Sequence, residues 1–239
     1  KKILKTIMIK KIQHIFYRRF LSSDYFLGNI RRIKPISSKF GLDRGTPIDR
    51  YYIEKFLNNN SSYIHGDVLE IANSDYSQKF GKDVNKFEVL HYDNSNPKAT
   101  VIGDLTKLED LPENFVDCFI CTQTFNFIYD LRLAIQGARH LLKRNGVLLA
   151  TVAGISQISR YDMDRWGDYW RFTTLSIKKI FEEEFGSGNV DIDFYGNCLA
   201  ACSFLNGLSV EELTQQELDF KDENYQVLIT ITAIKNNDY

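Results

Sequence analysis

The sequence predicts a doubly wound α/β fold: a mostly parallel sheet, helices on both faces, and an antiparallel strand pair at the C-terminal end. Three observations predict it. From Gly66 onward, short apolar runs alternate with helical patterns, which is how parallel strands and crossover helices read in a chain. The final run, QVLITITAIK, alternates instead at period two, as an antiparallel edge strand does. A length of 239 residues suits one such domain with a full core and is short for two.

The elements follow in order. Residues 1–23 carry Lys and Arg but no acid, and Ile3, Leu4, Ile7, Met8, Ile12, Ile15 and Phe16 recur near helical spacing. This predicts a basic amphipathic helix that packs on a protein surface in preference to an anionic membrane. The stretch has no continuous apolar run, so it does not read as a signal peptide. Lys1 in place of Met implies a processed product or a piece of something longer. Residues 24–50 read as irregular, punctuated by Gly41, Gly45 and Pro47. Asp49 then reads as the N-cap of a helix through Leu57, and NNNSS as a polar loop closing this region.

Five strands follow: VLEIA, FEVLHYD, ATVIGDL, VDCFICTQ and GVLLATVA. DLRLAIQGARHLLKRNG reads as a helix whose stop signals are Lys143, Arg144 and Gly146. VDIDFYG and YQVLITITAIK complete the sheet, with no long crossover helix pattern between them.

Composition narrows the class. Apolar residues make up 44%, charged residues 26%, and the formal net charge is −1. That balance lacks the basic footprint of a nucleic-acid enzyme, so no nucleic-acid partner is expected. No apolar run approaches the ~20 residues that span a bilayer, so no stable membrane insertion is expected. Cys118 and Cys121 form a C-x-x-C pair inside an apolar strand, without the turn a redox or zinc motif needs. They read as buried thiols, and Cys198 and Cys202 have no His pair at ligand spacing. Reduced thiols and a cytoplasmic location are the expectation.

Six segments carry a resemblance: FGLDRGTPIDRYYIEKFL, GDVLEI, VIGDLTKLEDLP, FICTQTFNFIYD, HLLKRNGVLL and DRWGDYWRFT. Together they resemble class I S-adenosylmethionine-dependent methyltransferases, in particular those found with enzymes of glycan and polysaccharide biosynthesis. The resemblance runs from about Pro35 to Lys235. It implies a Rossmann-like methyltransferase domain over 35–239, preceded by a basic helical extension over 1–34. It implies S-adenosylmethionine as cofactor and O-methyl transfer to a sugar hydroxyl of a glycan. It also implies fusion to, or association with, glycosyltransferase domains. Two alternatives stay open: a catalytically silent methyltransferase-like binding module, and a methyltransferase for a small molecule that is not a sugar. A nicotinamide oxidoreductase fits less well, because G-x-G-x-x-G is missing.

Candidate cofactor residues sit at strand ends, where open α/β sheets bind ligands. Glu70 ends the first strand, placed to meet the cofactor's ammonium. The turn after it, Glu70–Asp75, lacks the glycines usual in the family; Ala72 is small, and Asn73 tolerates left-handed geometry. Asp93 ends the second strand, and its two oxygens suit the ribose hydroxyls. The resemblance places Asp104 on the adenine amino group and the Leu105 N–H on the ring. Thr122 and Gln123 lie where cofactor meets substrate, beside Phe125. Arg44 and Thr46 are candidates for the cofactor carboxylate, the alternative for Arg44 being an ion pair with Asp43 or Asp49.

The acceptor wall is expected in RYDMDRWGDYWRFT, after the fifth strand. Trp166, Tyr169 and Trp170 offer stacking faces, and Arg171 a donor. Asp168 is the first candidate for the proton-accepting base and Asp162 the second, with burial beside the tryptophans expected to raise the pKa. Asp162, Asp164 and Asp168 could instead hold Mg²⁺, but a loop acid cluster is usually solvated, so no metal is expected. His91 can reach the cofactor crevice, whereas His14, His65 and His140 read as peripheral.

Overall fold

In the computed structural model, residues 31–236 are described. The basic stretch 1–23 and His14 lie outside the described residues.

Seven strands form one sheet: β1 (Gly66–Ile71), β2 (Val84–His91), β3 (Val101–Ile102), β4 (Val116–Thr122), β5 (Leu142–Ala153), β6 (Val190–Tyr195) and β7 (Leu228–Ile234). Their order is β3-β2-β1-β4-β5-β7-β6. β1 to β5 are mutually parallel, and β7 runs antiparallel to both of its neighbours. The chain therefore winds outward one way from β1 to β3, then the other way from β4. The carboxyl ends of β1 and β4 diverge at this switch point, the place where such sheets open a crevice.

Seven α-helices complete the described chain: α1 (Ile48–Asn59), α2 (Asp75–Phe80), α3 (Leu131–Leu141), α4 (Arg160–Met163), α5 (Thr174–Phe185), α6 (Cys198–Asn206) and α7 (Gln215–Asp219). On one sheet face, Phe119 and Cys121 pack under Ala134, Ile135 and Ala138 of α3 and Ile177, Phe181 and Phe185 of α5. On the other, Cys118 and Ile120 pack against Ile48, Tyr52 and Phe56 of α1 and Phe204 of α6. Burial on both faces explains why β4 is apolar at nearly every position. It also disposes of the C-x-x-C pair. Three residues apart on a strand, the two thiols point to opposite faces and share no site. Both are buried, which raises their pKa, that of Cys121 to about 12.

Local expectations needed four corrections. α1 begins after Pro47, which offers no capping side chain, so Asp49 lies within the first turn and is not the N-cap. α3 stops at Leu141, because Leu142 is already extended (ψ 138°). The expected stop residues Lys143 and Arg144 belong to β5 instead, which begins four residues earlier than its apolar run. There Lys143 Nζ donates to Asp67 (2.8 Å) and Asp117 (2.9 Å), joining β1, β4 and β5 at the amino end of the sheet. β3 is only two residues long. Finally, two short helices, α6 and α7, lie between β6 and β7, where the sequence shows no long crossover helix pattern and does not announce these. Among the described residues, no helix is long and apolar enough to cross a membrane.

Candidate active site

A cavity of about 370 Å³ opens at the carboxyl ends of β1 and β4. Its walls come from four segments distant in sequence. The N-terminal wall is Phe40, Leu42, Asp49, Arg50 and Ile53; the turn after β1 adds Glu70, Ala72, Asn73 and Tyr76. The end of β4 contributes Thr122, Gln123 and Asn126, and the segment after β5 contributes Ser159, Asp162, Asp168 and Arg171.

The turn after β1 forms without glycine. Ala72 itself takes a left-handed conformation (φ 66°) and donates its N–H to the Leu90 carbonyl (3.1 Å). Glu70 is 3% exposed, and its carboxylate accepts the N–H groups of Tyr76 (3.2 Å) and Ser77 (2.9 Å) at the start of α2. Burial raises its pKa, and those amides oppose the rise. Glu70 thus shapes the turn while lining the cavity. Gln123 (φ 50°) and Phe40 (φ 57°) repeat the left-handed geometry in the other walls. A non-glycine residue there costs about 1–2 kcal/mol. Half of the six described non-glycine residues with positive φ line this one cavity. Such clustering is a mark of a ligand site.

A second mark is Asn126, between two phenylalanines in the short helical turn Phe125–Phe127 after β4. It is 2% exposed, and its buried side-chain Oδ1 has no hydrogen-bond partner among the described residues. An unmet buried acceptor costs about 1–3 kcal/mol unless a ligand donor meets it. Its backbone carbonyl meanwhile accepts the N–H groups of Tyr169 (2.9 Å) and Trp170 (3.2 Å), docking the loop after β5 onto β4. Arg50 is a third. Its guanidinium is exposed and has no ion-pair partner among the described residues.

Asp93 and Asp104 follow β2 and β3 on the same edge, outside the cavity wall. Asp93 Oδ1 accepts the Ser95 N–H (3.0 Å) and lies 3.2 Å from His91 Nδ1. The Ser95 hydrogen bond, more than His91, holds its pKa low. Asp104 Oδ1 accepts the backbone N–H and the hydroxyl of Thr106 (2.9 and 2.8 Å). Leu105 is buried in the core, its carbonyl against Gly137 of α3.

Arg44 and Thr46 do not reach the cavity. Arg44 Nε donates to Glu212 Oε2 (2.9 Å), completing a forked ion pair, and Thr46 Oγ1 donates to Glu211 (2.8 Å). The reason is packing. Gly41 and Gly45 let the loop lie against residues 207–211, where a Cβ on Gly45 would sit 2.2 Å from Glu211. The partner of Arg44 is thus neither Asp43 nor Asp49.

The loop after β5 was expected to carry a base with a raised pKa. Asp168 is indeed buried, and burial alone would raise it. Arg171, donating to both oxygens (2.6 and 2.9 Å), and the Ser159 N–H (2.9 Å) outweigh that and lower it. Asp168 is held as a carboxylate and fixes Arg171, which also donates to the carbonyls of Gln157 and Trp170. Asp162 accepts from the Ser159 hydroxyl and from Trp166 Nε1 (3.1 Å). Asp164 turns outward to Arg160 (3.0 Å). Among the described residues, no group of three His, Cys, Asp or Glu is arranged to hold a metal ion.

Four aromatic side chains of this loop remain exposed: Tyr161 (63%), Trp166 (47%), Tyr169 (49%) and Trp170 (36%). Tyr129 stacks on Trp170 at 6.0 Å and meets Tyr169 edge-on at 5.4 Å. Trp170 Nε1 donates to the Ile128 carbonyl (3.0 Å), fixing the ring. Phe125, by contrast, is wholly buried edge-on to Phe181 and packs the core. Sequence reasoning missed Asp49, Arg50 and Asn126 as site residues. A polar residue between Phe125 and Phe127 was the legible signal for Asn126.

Comparison with known proteins agrees with this architecture. Residues 58–150, from the end of α1 through most of β5, match the family described as Methyltransferase domain. No curated protein matches the chain by sequence. A SAM-dependent methyltransferase from Archaeoglobus fulgidus is similar in structure, at 14% identity and TM-score 0.50, covering 78% of this chain and 94% of the other. So is phosphoethanolamine N-methyltransferase 2 of Haemonchus contortus, solved with phosphomonomethylethanolamine and S-adenosylhomocysteine. There the identity is 12% and the TM-score 0.50, over 93% of this chain and 59% of the other. The [4+2]-cyclase SpnF also matches (12%, TM-score 0.50, 86% and 88% covered), so the fold alone does not fix the reaction.

Proposed function

We propose that this S-adenosylmethionine-dependent methyltransferase transfers its methyl group to a sugar hydroxyl of a glycan. The observation that carries the reading is the exposed aromatic group of Trp166, Tyr169 and Trp170 on the same loop that puts Asp162, Asp168 and Arg171 into the cavity, although none of the three rings itself lines that cavity. Sugar rings present apolar faces that stack on such rings, and hydroxyls that bond to carboxylates and guanidinium groups.

The residues present fit the cofactor. A methionine end bears a carboxylate and an ammonium, and the cavity offers the Arg50 guanidinium and the Asn126 Oδ1, neither of which has a partner among the described residues. The left-handed Ala72 supplies the turn that glycine gives elsewhere, which favours an enzyme over a silent binding module. Glu70 and Thr122 line the methionine end, Asp93 takes the ribose, and Asp104 with the Leu105 N–H takes the adenine. When bound, S-adenosylmethionine supplies a methyl group already activated on sulfur. What the protein adds is alignment and exclusion of water. Gln123 and Arg171 hold the acceptor, and Trp166, Tyr169 and Trp170 cover its ring faces. The same reading makes the enzyme cytoplasmic, with glycosyltransferase domains as the natural source of its acceptor.

Asp104→Ala is expected to weaken S-adenosylmethionine binding tenfold or more, since a hydrogen bond to a charged group is worth about 1.5–3 kcal/mol. Calorimetric titration of a folded variant with unchanged affinity would remove Asp104 from the site. The acceptor is tested with methyl-labelled S-adenosylmethionine and a panel of oligosaccharides, catechols, ethanolamine phosphates, RNA and protein. Label in a sugar supports the reading; label only in another class ends it. With a labelled sugar in hand, Trp166→Ala should raise KM for it about fivefold, a loss of ~1 kcal/mol of stacking, and leave cofactor affinity nearly unchanged.

A further inference from the structure

Four carboxylates line the cavity, and three of them are committed. Glu70 spends both oxygens on the start of α2, Asp168 on Arg171 and the Ser159 N–H, and Asp162 on Ser159 and Trp166. Asp49 differs. Apart from its own backbone N–H, its carboxylate accepts just the N–H of the next residue, Arg50, on Oδ1 (2.8 Å), among the described residues. Among the described residues, no lysine or arginine forms an ion pair with it.

We infer that Asp49 is the catalytic base, the group that takes the proton from the acceptor's hydroxyl. The inference rests on the proposed transfer to oxygen. In the step, the acceptor oxygen bonds to the methyl carbon as the carbon–sulfur bond breaks, its electron pair passing to sulfur. The hydroxyl proton goes to the Asp49 carboxylate, which becomes a carboxylic acid and then releases the proton to water. Charge balances: a sulfonium, a hydroxyl and a carboxylate become a thioether, a methyl ether and a carboxylic acid.

The surroundings suit the task. The charge acting on Asp49 is that of Arg50 on α1, and Asp49 in turn acts on Tyr76 of α2; Glu70, Asp162, Asp168 and Arg171 line other walls of the same cavity. Burial of the carboxyl outweighs the Arg50 N–H and charge, and pushes the Asp49 pKa to about 6. A base poised there is largely ionised at neutral pH yet holds a proton better than a solvated aspartate.

The test compares wild type with Asp49→Asn in the full chain. Label transfer to a sugar identified by the panel should fall at least a hundredfold. S-adenosylhomocysteine affinity should stay within threefold, and the wild-type rate should fall as pH drops through about 6. Retained turnover, or an equal loss of S-adenosylhomocysteine affinity, would overturn the inference; the latter would make Asp49 a cofactor ligand. A second readout needs no acceptor. A folded-state pKa above the unfolded value of about 3.9 makes ionised Asp49 a burden that grows as pH rises through 6. Asp49→Asn should therefore melt higher than wild type at pH 8 and lose that advantage at pH 4. A variant that melts lower at both pH values would mean the carboxylate is satisfied in place, and not a base. If wild type labels no sugar, the glycan reading fails, and the melting comparison still decides on Asp49.

Discussion

Replacing Asp168 with alanine is expected to cost the fold about 3 kcal/mol and to lower the melting temperature by about 6–12 °C. The side chain of Asp168 is fully buried, whereas that of its partner Arg171 is 27% exposed. The variant leaves a guanidinium that has lost both carboxylate contacts and a Ser159 N–H without its acceptor. Water reaching Arg171 keeps the loss toward the low end for a broken buried pair. The sign with pH follows from the lowered pKa. Asp168 contributes its stability above the unfolded value of about 3.9, and the contribution fades as pH falls through the folded value. The gap between wild type and variant should therefore be constant from pH 8 to 5 and shrink below 4. Calorimetric melting measures both. A variant that melts like wild type but has lost turnover would return Asp168 to the role of base.

Gly137→Ala should damage the cofactor site from outside it. A Cβ on Gly137 would lie 2.0 Å from the Leu105 carbonyl oxygen, a backbone atom that cannot rotate away. Either α3 or the Asp104–Leu105 segment must move by an ångström or more. Overpacking of this kind costs about 1–3 kcal/mol. Alanine returns about 1 kcal/mol through better helix propensity, so the net loss of stability is small. The loss of binding is not. A shifted Leu105 carries its own N–H and Asp104 with it, and affinity for S-adenosylmethionine should fall tenfold or more. Unaltered affinity in the variant would mean that the segment does not touch the cofactor.

These two substitutions mark where the sequence is legible and where it stops. The sheet could be read strand by strand because each strand announces itself locally: continuous apolar runs in the interior, period-two alternation in β7. The strand-end acids Glu70, Asp93 and Asp104 followed from the strands. The helix α6 went unread, since CLAACSFLN is short, uncharged and apolar nearly all round. Arg44 was misread because its partner, Glu212, is 168 positions away. Asp49 was taken for a cap for the same kind of reason. The packing of residues 41–46 on 207–211, together with that of Ile48, Tyr52 and Phe56 on the sheet, brings α1 to the cavity, and no local pattern encodes it. The pairing of Asp168 with Arg171, three residues on, was within reach. The flanking tryptophans read as a desolvating wall, but the nearer Arg171 guanidinium sets the state of Asp168.

The glycine-free turn is the point on which the account most depends. Ala72 adopts left-handed geometry at a cost, and Asn126 buries an oxygen with nothing to meet it; both are explained if S-adenosylmethionine binds between them. Isothermal titration of S-adenosylmethionine into the wild-type chain tests this most directly. A saturable one-to-one isotherm, with an accompanying rise in melting temperature, is the predicted result. The absence of both heat and thermal shift at millimolar ligand would contradict it, and would leave a methyltransferase fold without its cofactor.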